Sequence, residues 1–157
     1  MDFFLPDADA TGRFGMLLAA ELAAGSNPPP IFFFGEMGAG KTTLISGLVK
    51  NLAGGDAAEV SSPSFTMCNI YPTTPPAAHF DLYRQTAERT DESLLDFLDA
   101  AGHVVLVEWA ERMPAADVPP VRLECVLSFR GESRLAALTA FGEAARALAA
   151  HMRDMWK

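Results

Sequence analysis

The chain has 157 residues, half of them hydrophobic, which suits one folded domain with a single good core and excludes a disordered chain. Twenty Asp plus Glu face twelve Lys plus Arg, of which three are lysines (Lys41, Lys50 and Lys157), for a net charge of −8. Strong direct nucleic-acid binding is excluded by that balance, because neutralisation of phosphates dominates such affinity, and a protein partner is easier to defend. No apolar run approaches the roughly 20 residues needed to span a bilayer. The start MDFFLPDADA has two acids and no basic residue, unlike a secretory signal. Cys68 and Cys125 stand apart with no CxxC pair, so neither a zinc site nor a disulfide framework is expected. These features suggest a reduced, cytoplasmic setting.

In chain order, residues 1–5 read as a short strand closed by Pro6, and Asp7 or Asp9 caps an alanine- and leucine-rich helix that Gly25 ends. Ile31–Phe34 is an apolar strand of the kind buried on both faces in a parallel sheet. A helix is expected from Lys41 to Leu52, then a loop over residues 56–65 and strands near residues 66–71 and 77–82. A helix over 91–101 carries Leu94, Leu95 and Leu98 at helical spacing, and His103–Val107 is a second apolar strand. Residues 121–129 and 134–139 flank Gly131-Glu132-Ser133 as a hairpin, and residues 141–155 form a last helix. The alternation specifies an α/β fold whose mixed sheet has a parallel centre and antiparallel additions.

Between the Ile31–Phe34 strand and the next helix lies GEMGAGKT, Gly35 to Thr42, which satisfies G-x-x-x-x-G-K-[ST]. Glycines let the backbone approach an anion, and N–H groups at the positive end of the following helix converge on it. Lys41 is placed to reach β- and γ-phosphate oxygens and Thr42 to bind a magnesium ion through its hydroxyl. The expected architecture is therefore a three-layer sandwich of P-loop NTPase type, one ATP-binding domain over residues 1–157.

Such a site needs a second anionic arm, usually an acid closing a strand beside the loop. HVVLVE ends at Glu108 and AAHFD at Asp81. Glu108, after the more apolar strand, is assigned to the magnesium side, directly or through water. Asp81 orients attacking or metal-bound water, or is a turn residue or a partner of Arg84. Ser64 in SSPSF is chosen as a γ-phosphate sensor on a loop that orders with ATP, against an ordinary proline-bearing turn. His79 reads as a structural histidine, and Trp109 as core or as a shield for the site.

These pieces together resemble the TsaE (YjeE) family, small bacterial ATPases needed for threonylcarbamoyladenosine modification of tRNA. The markers are GEMGAGKTTL, SSPSFTM, HFDLYR and VEWAER in that order, with Thr11 ahead of Phe14-Gly15 resembling the family's nucleotide-contacting threonine. The resemblance implies adenine nucleotide (ATP or ADP) held by Thr11, by Glu36, Met37, Gly38, Ala39, Gly40, Lys41, Thr42 and Thr43, and by Ser64. It implies magnesium on Thr42 and Glu108, and hydrolysis carried by Lys41, Asp81 and Glu108. It also implies assembly with two sugar-kinase-fold proteins, TsaB and TsaD. Two departures are visible: Ser64 stands where the family's loop usually has threonine, keeping the hydroxyl and losing the stiff β-branch; Glu36 stands where aspartate is more usual.

Two other readings carry different expectations. GEMGAGKT also resembles the P-loop of shikimate kinases, but no Arg-rich lid is present, and HFDLYR and VEWAER have no place in such an enzyme. A non-hydrolysing module would bind nucleotide and only report its state. No NKxD appears that would read guanine.

Overall fold

The computed structural model describes residues 1–85 and 89–157. Seven strands form one sheet: β1 (Asp2–Leu5), β2 (Ile31–Phe34), β3 (Cys68–Tyr71), β4 (Ala77–Asp81), β5 (Val104–Glu108), β6 (Arg122–Arg130) and β7 (Ser133–Phe141). Their order is β1-β7-β6-β2-β5-β4-β3. β6, β2, β5 and β4 run parallel as neighbours, whereas β3 joins β4, β7 joins β6 and β1 joins β7 antiparallel. This is the expected mixed sheet with a parallel centre.

Helices α1 (Ala8–Ala24), α2 (Lys41–Asn51) and α4 (Glu143–Met155) cover one face, with Phe14, Leu18, Leu44, Ile45, Leu48 and Met152 packed against Ile31, Phe33 and Leu123 of the sheet. On the other face α3 (Glu92–Asp99) and the first of two short 3-10 turns, Ala110–Arg112, pack on Phe32, Phe80, Val105 and Val107; the second turn, Ala115–Asp117, has no buried residue. The fully apolar β2 is thus buried on both faces, the environment its sequence requires.

Local chemistry explains the boundaries. The Asp7 carboxylate accepts the Ala10 N–H at 2.7 Å and starts α1; Asp91 does the same for Ser93 at 2.9 Å in α3. α1 and α2 lie against each other through glycines, since a Cβ on Gly15 would stand 2.7 Å from the Leu44 carbonyl oxygen and from the Leu48 amide nitrogen.

Several boundaries differ from expectation, α3 ending at Asp99 rather than residue 101 and α4 beginning at Glu143 rather than residue 141. β3 begins at Cys68 rather than residue 66, because Met67 takes φ 65° and donates its N–H to Pro63 at 2.6 Å, curling the serine-rich segment back. Of the hairpin strands, β6 keeps its expected length shifted by one residue and β7 runs longer at both ends, the turn between them falling at Gly131 and Glu132 with Gly131 at φ 63°. The two 3-10 turns, three residues each, are too short to leave a periodic signal in the sequence. No helix among the described residues is long and apolar enough to cross a membrane.

Candidate functional site

The loop Gly35–Gly40 joins the carboxyl end of β2 to the amino end of α2, where open α/β sheets place their ligands. Gly35, Gly38 and Gly40 all have positive φ (136°, 80° and 104°). At Gly35 the requirement is double, because a Cβ there would also meet the Leu127 carbonyl oxygen at 2.3 Å. Gly40 caps α2 with no side-chain hydrogen bond, so the first N–H groups of that helix stay available to an external anion.

Lys41 is buried, and its ammonium is held inside the loop. Nζ donates to the Gly35 carbonyl at 2.5 Å and the Glu36 carbonyl at 3.0 Å, and lies 4.1 Å from the centre of the Trp109 ring. Burial pushes its pKa below the ordinary 10.5; the nearby carboxylates of Glu108, Glu111 and Asp81 oppose that fall. Trp109, at φ 56°, covers the lysine on one side and touches Tyr83 on the other, ring centres 4.9 Å apart. It is half-buried, packing against the core on that face of the sheet as well as against Lys41.

The two acids close adjacent parallel strands and are register partners, Asp81 of β4 opposite Glu108 of β5. The Thr42 hydroxyl lies 3.3 Å from both Glu108 carboxylate oxygens. Asp81 accepts the Tyr83 N–H at 2.8 Å on one oxygen and the Ser62 hydroxyl on the other. No ion pair joins Asp81 to Arg84 among the described residues, so the alternative of an Asp81–Arg84 pair fails.

Lys41, Thr42, Thr43, Ser64, Asp81 and Glu108 line one cavity of about 420 Å³, together with Met37, Gly38 and Gly40. Thr11 lies elsewhere, in an adjoining cavity of about 270 Å³ that shares Gly38, Gly40 and Thr43. Its hydroxyl donates to the Asp7 carbonyl at 3.1 Å. Glu36 and Ala39 line neither space: the Glu36 carbonyl accepts from Lys41 and from the Ala39 N–H, and Ala39 is buried.

The chain matches the family described as "Threonylcarbamoyl adenosine biosynthesis protein TsaE" over residues 5–135. It is 39% identical over 119 residues to the tRNA threonylcarbamoyladenosine biosynthesis protein TsaE of a Synechocystis strain, covering 73% of each chain. To the protein of the same name from a Nostoc strain it is 36% identical over 144 residues, 88% of this chain and 85% of that one. The chain belongs to the TsaE family. The crystal structure of Bacillus subtilis YdiB has the same fold, with a TM-score of 0.77 at 24% identity over 98% of this chain and 94% of that one.

Both cavities are built from residues inside the TsaE match, whereas most of β7 and all of α4 lie outside it. Two site residues were not assigned from sequence. Ser62, not Ser64, makes the hydroxyl contact to Asp81, and nothing in Ser61-Ser62-Pro63-Ser64 told which hydroxyl would turn inward. His79 is fully buried, and its Nε2 lies 2.7 Å from Glu108 Oε1. A signal for it existed: residues two apart on a strand share a face, so His79 and Asp81 had to point the same way. The ring is not the fully satisfied structural histidine expected: Nε2 meets the site's own carboxylate, while Nδ1 is buried with no hydrogen-bond partner among the described residues.

Proposed function

We propose that this protein is a magnesium-dependent ATPase that acts in threonylcarbamoyladenosine modification of tRNA by driving the cycle of a partner complex. One observation carries the reading. A glycine loop with free helix-terminal N–H groups, a buried ammonium, a hydroxyl and two strand-end carboxylates converge on one cavity. Membership of the TsaE family supports the modification pathway, the cytoplasmic setting in which tRNA is modified, and TsaB and TsaD as partners. The charge of −8 suits protein partners better than direct contact with tRNA.

The donor set fits magnesium. Thr42 and Glu108 bring hard oxygen donors within 3.3 Å of each other, with no thiol among the cavity residues. Among the described residues no group of three or more His, Cys, Asp or Glu can hold a metal alone. Thr42 and Glu108 would therefore hold the ion together with phosphate oxygens and water, as magnesium prefers in nucleotide sites. When bound, the ion would neutralise charge that develops on the β- and γ-phosphate oxygens.

The residues act as follows. Loop N–H groups hold the β-phosphate, and Lys41 turns from the Gly35 and Glu36 carbonyls to the phosphates, exchanging neutral acceptors for charged ones. Thr43 and Gly40, shared by both cavities, bridge the phosphates to the nucleoside, which occupies the space beside Thr11. Asp81, fixed by Tyr83 and Ser62, accepts a hydrogen bond from the attacking water and aims it at the γ-phosphorus. Ser64 senses the γ-phosphate from the same wall.

Phosphate release from ATP with magnesium, measured with and without TsaB and TsaD, tests the reading. Partner-stimulated release is expected. Tight ATP binding with no turnover under either condition would favour the non-hydrolysing module. Unchanged ATP binding by Lys41→Ala would remove the phosphate cradle.

A further inference from the structure

Two basic side chains line the phosphate cavity, Lys41 and Arg84. The first is bound into the loop. Arg84 is different: it is exposed, makes no hydrogen bond or ion pair among the described residues, and rests its guanidinium 4.2 Å from the centre of the Phe65 ring. Phe65 is itself 82% exposed, the most exposed of the large apolar side chains, so this contact is a weak hold in water. The turn that carries Arg84 is anchored three residues earlier, where Asp81 takes the Tyr83 N–H and the Ser62 hydroxyl. The guanidinium therefore hangs at the cavity wall from a fixed base. Arg134 offers no substitute, because it donates to the Glu132 and Ser133 carbonyls, 3.0 Å each, and to the Gly38 carbonyl at 3.5 Å, and itself borders only the second cavity.

Charge balance asks for a second cation. Glu108 and Asp81 face one ammonium, and a magnesium-chelated triphosphate adds net negative charge to them. We propose that Arg84 is a catalytic arginine supplied in cis, which leaves the Phe65 ring and donates to γ-phosphoryl oxygens in the transition state. This rests on the ATPase reading. In that step the water oxygen bonds to the γ-phosphorus as the bond to the β–γ bridging oxygen breaks. The electron pair leaves with ADP, and the water's proton passes through Asp81 to solvent or to the phosphate formed. Arg84 stays protonated throughout and supplies only charge and a planar fork, which lysine lacks.

The test compares the parent with Arg84→Ala, Arg84→Lys and Phe65→Ala. Three things are read: ADP binding, capture of ADP with fluoroaluminate as a transition-state mimic, and single-turnover ATP hydrolysis. Arg84→Ala is expected to bind ADP within about twofold of the parent, lose the fluoroaluminate complex, and hydrolyse roughly 10³–10⁵-fold more slowly. Arg84→Lys restores little, whereas Phe65→Ala, which removes only the resting ring, still captures fluoroaluminate. Parent-like hydrolysis and capture in Arg84→Ala would overturn the inference and leave the ATPase reading standing. So would a parent that binds ADP yet captures no fluoroaluminate, or loss of capture in Phe65→Ala. A parent that binds no ATP at all overturns both.

Discussion

The Thr42 hydroxyl stands 3.3 Å from each carboxylate oxygen of Glu108, although 66 residues separate them in sequence. Parallel pairing of β2 with β5 sets Phe33 opposite Glu108, so the strand that leads into the glycine loop and the strand that ends in the acid rise together. The hydroxyl at the start of α2 and the acid at the end of β5 therefore meet by construction of the sheet.

That pair gives the first prediction. Glu108→Gln keeps the shape and removes the charge, while Thr42→Ala removes the hydroxyl. Each variant is expected to weaken magnesium-dependent ATP binding about 10–100-fold, the equivalent of a lost charge-assisted contact of about 1.5–3 kcal/mol. Titration of ATP by calorimetry over a range of magnesium concentrations checks it. Binding without magnesium should change far less, and equal losses with and without the ion would contradict a metal-side role.

His79 carries a second prediction. It sits at 0% exposure against a Glu108 that is 2% exposed, so His79→Phe leaves a buried carboxylate short of a donor. The expected cost is about 1–3 kcal/mol, read as a fall of roughly 2–12 °C in melting temperature for a chain of this size. The magnesium requirement should rise as well, because the carboxylate loses its fixed orientation, and His79→Gln should recover part of both. A double-mutant cycle with Glu108→Gln is the sharper measurement. Additive effects would mean the two side chains do not act together.

Much of this architecture was legible because strong local signals agreed with the tertiary demands on them. Ile31–Phe34 has no polar face and can only sit in the middle of a sheet; Asp7 and Asp91 precede helices that they do cap. The loop Gly35–Gly40 was legible through its glycines, and Asp81 and Glu108 through their position at strand ends. What escaped depends on contacts distant in sequence. The inward turn of Ser62 follows from Met67 folding back on Pro63, and the part played by His79 follows from the neighbouring strand. Thr11, expected to contact nucleotide, lines the space adjoining the glycine loop, on the helix α1 that crosses α2 closely at Gly15.

That crossing supplies a third prediction, on paired glycines of one helix. At Gly15 an added methyl meets backbone atoms of α2 at 2.7 Å, whereas at Gly12 it meets nothing within 4 Å. Gly15→Ala is expected to destabilise by about 1–3 kcal/mol through overpacking. Since Lys41 and Thr42 open α2, nucleotide affinity should fall with it. Gly12→Ala should do the opposite to stability, gaining roughly 0.5–1 kcal/mol from reduced chain entropy. Urea unfolding of both variants decides it, and similar midpoints for the two would show that the helices do not meet at Gly15.

The last prediction concerns pH. Burial lowers the pKa of Lys41 in the nucleotide-free cavity from 10.5, so folding alone disfavours its ammonium, and stability of the free protein rises with pH between the lowered value and 10.5. Phosphates act in the other direction: they favour the charged form and raise the pKa on binding. Binding therefore takes up a proton once the free lysine has lost its own. Affinity for magnesium-ATP should be level below the free-state pKa and fall above it by up to about tenfold per pH unit for one proton. The fall begins at lower pH than an exposed lysine would give. Calorimetric titrations from neutral pH to about pH 10, in buffers of different ionisation heat, read both the affinity and the proton uptake. Lys41→Arg cannot lose its charge in that range, so its weaker binding should stay level. A decline of the same steepness in the arginine variant would trace the pH dependence to some other group.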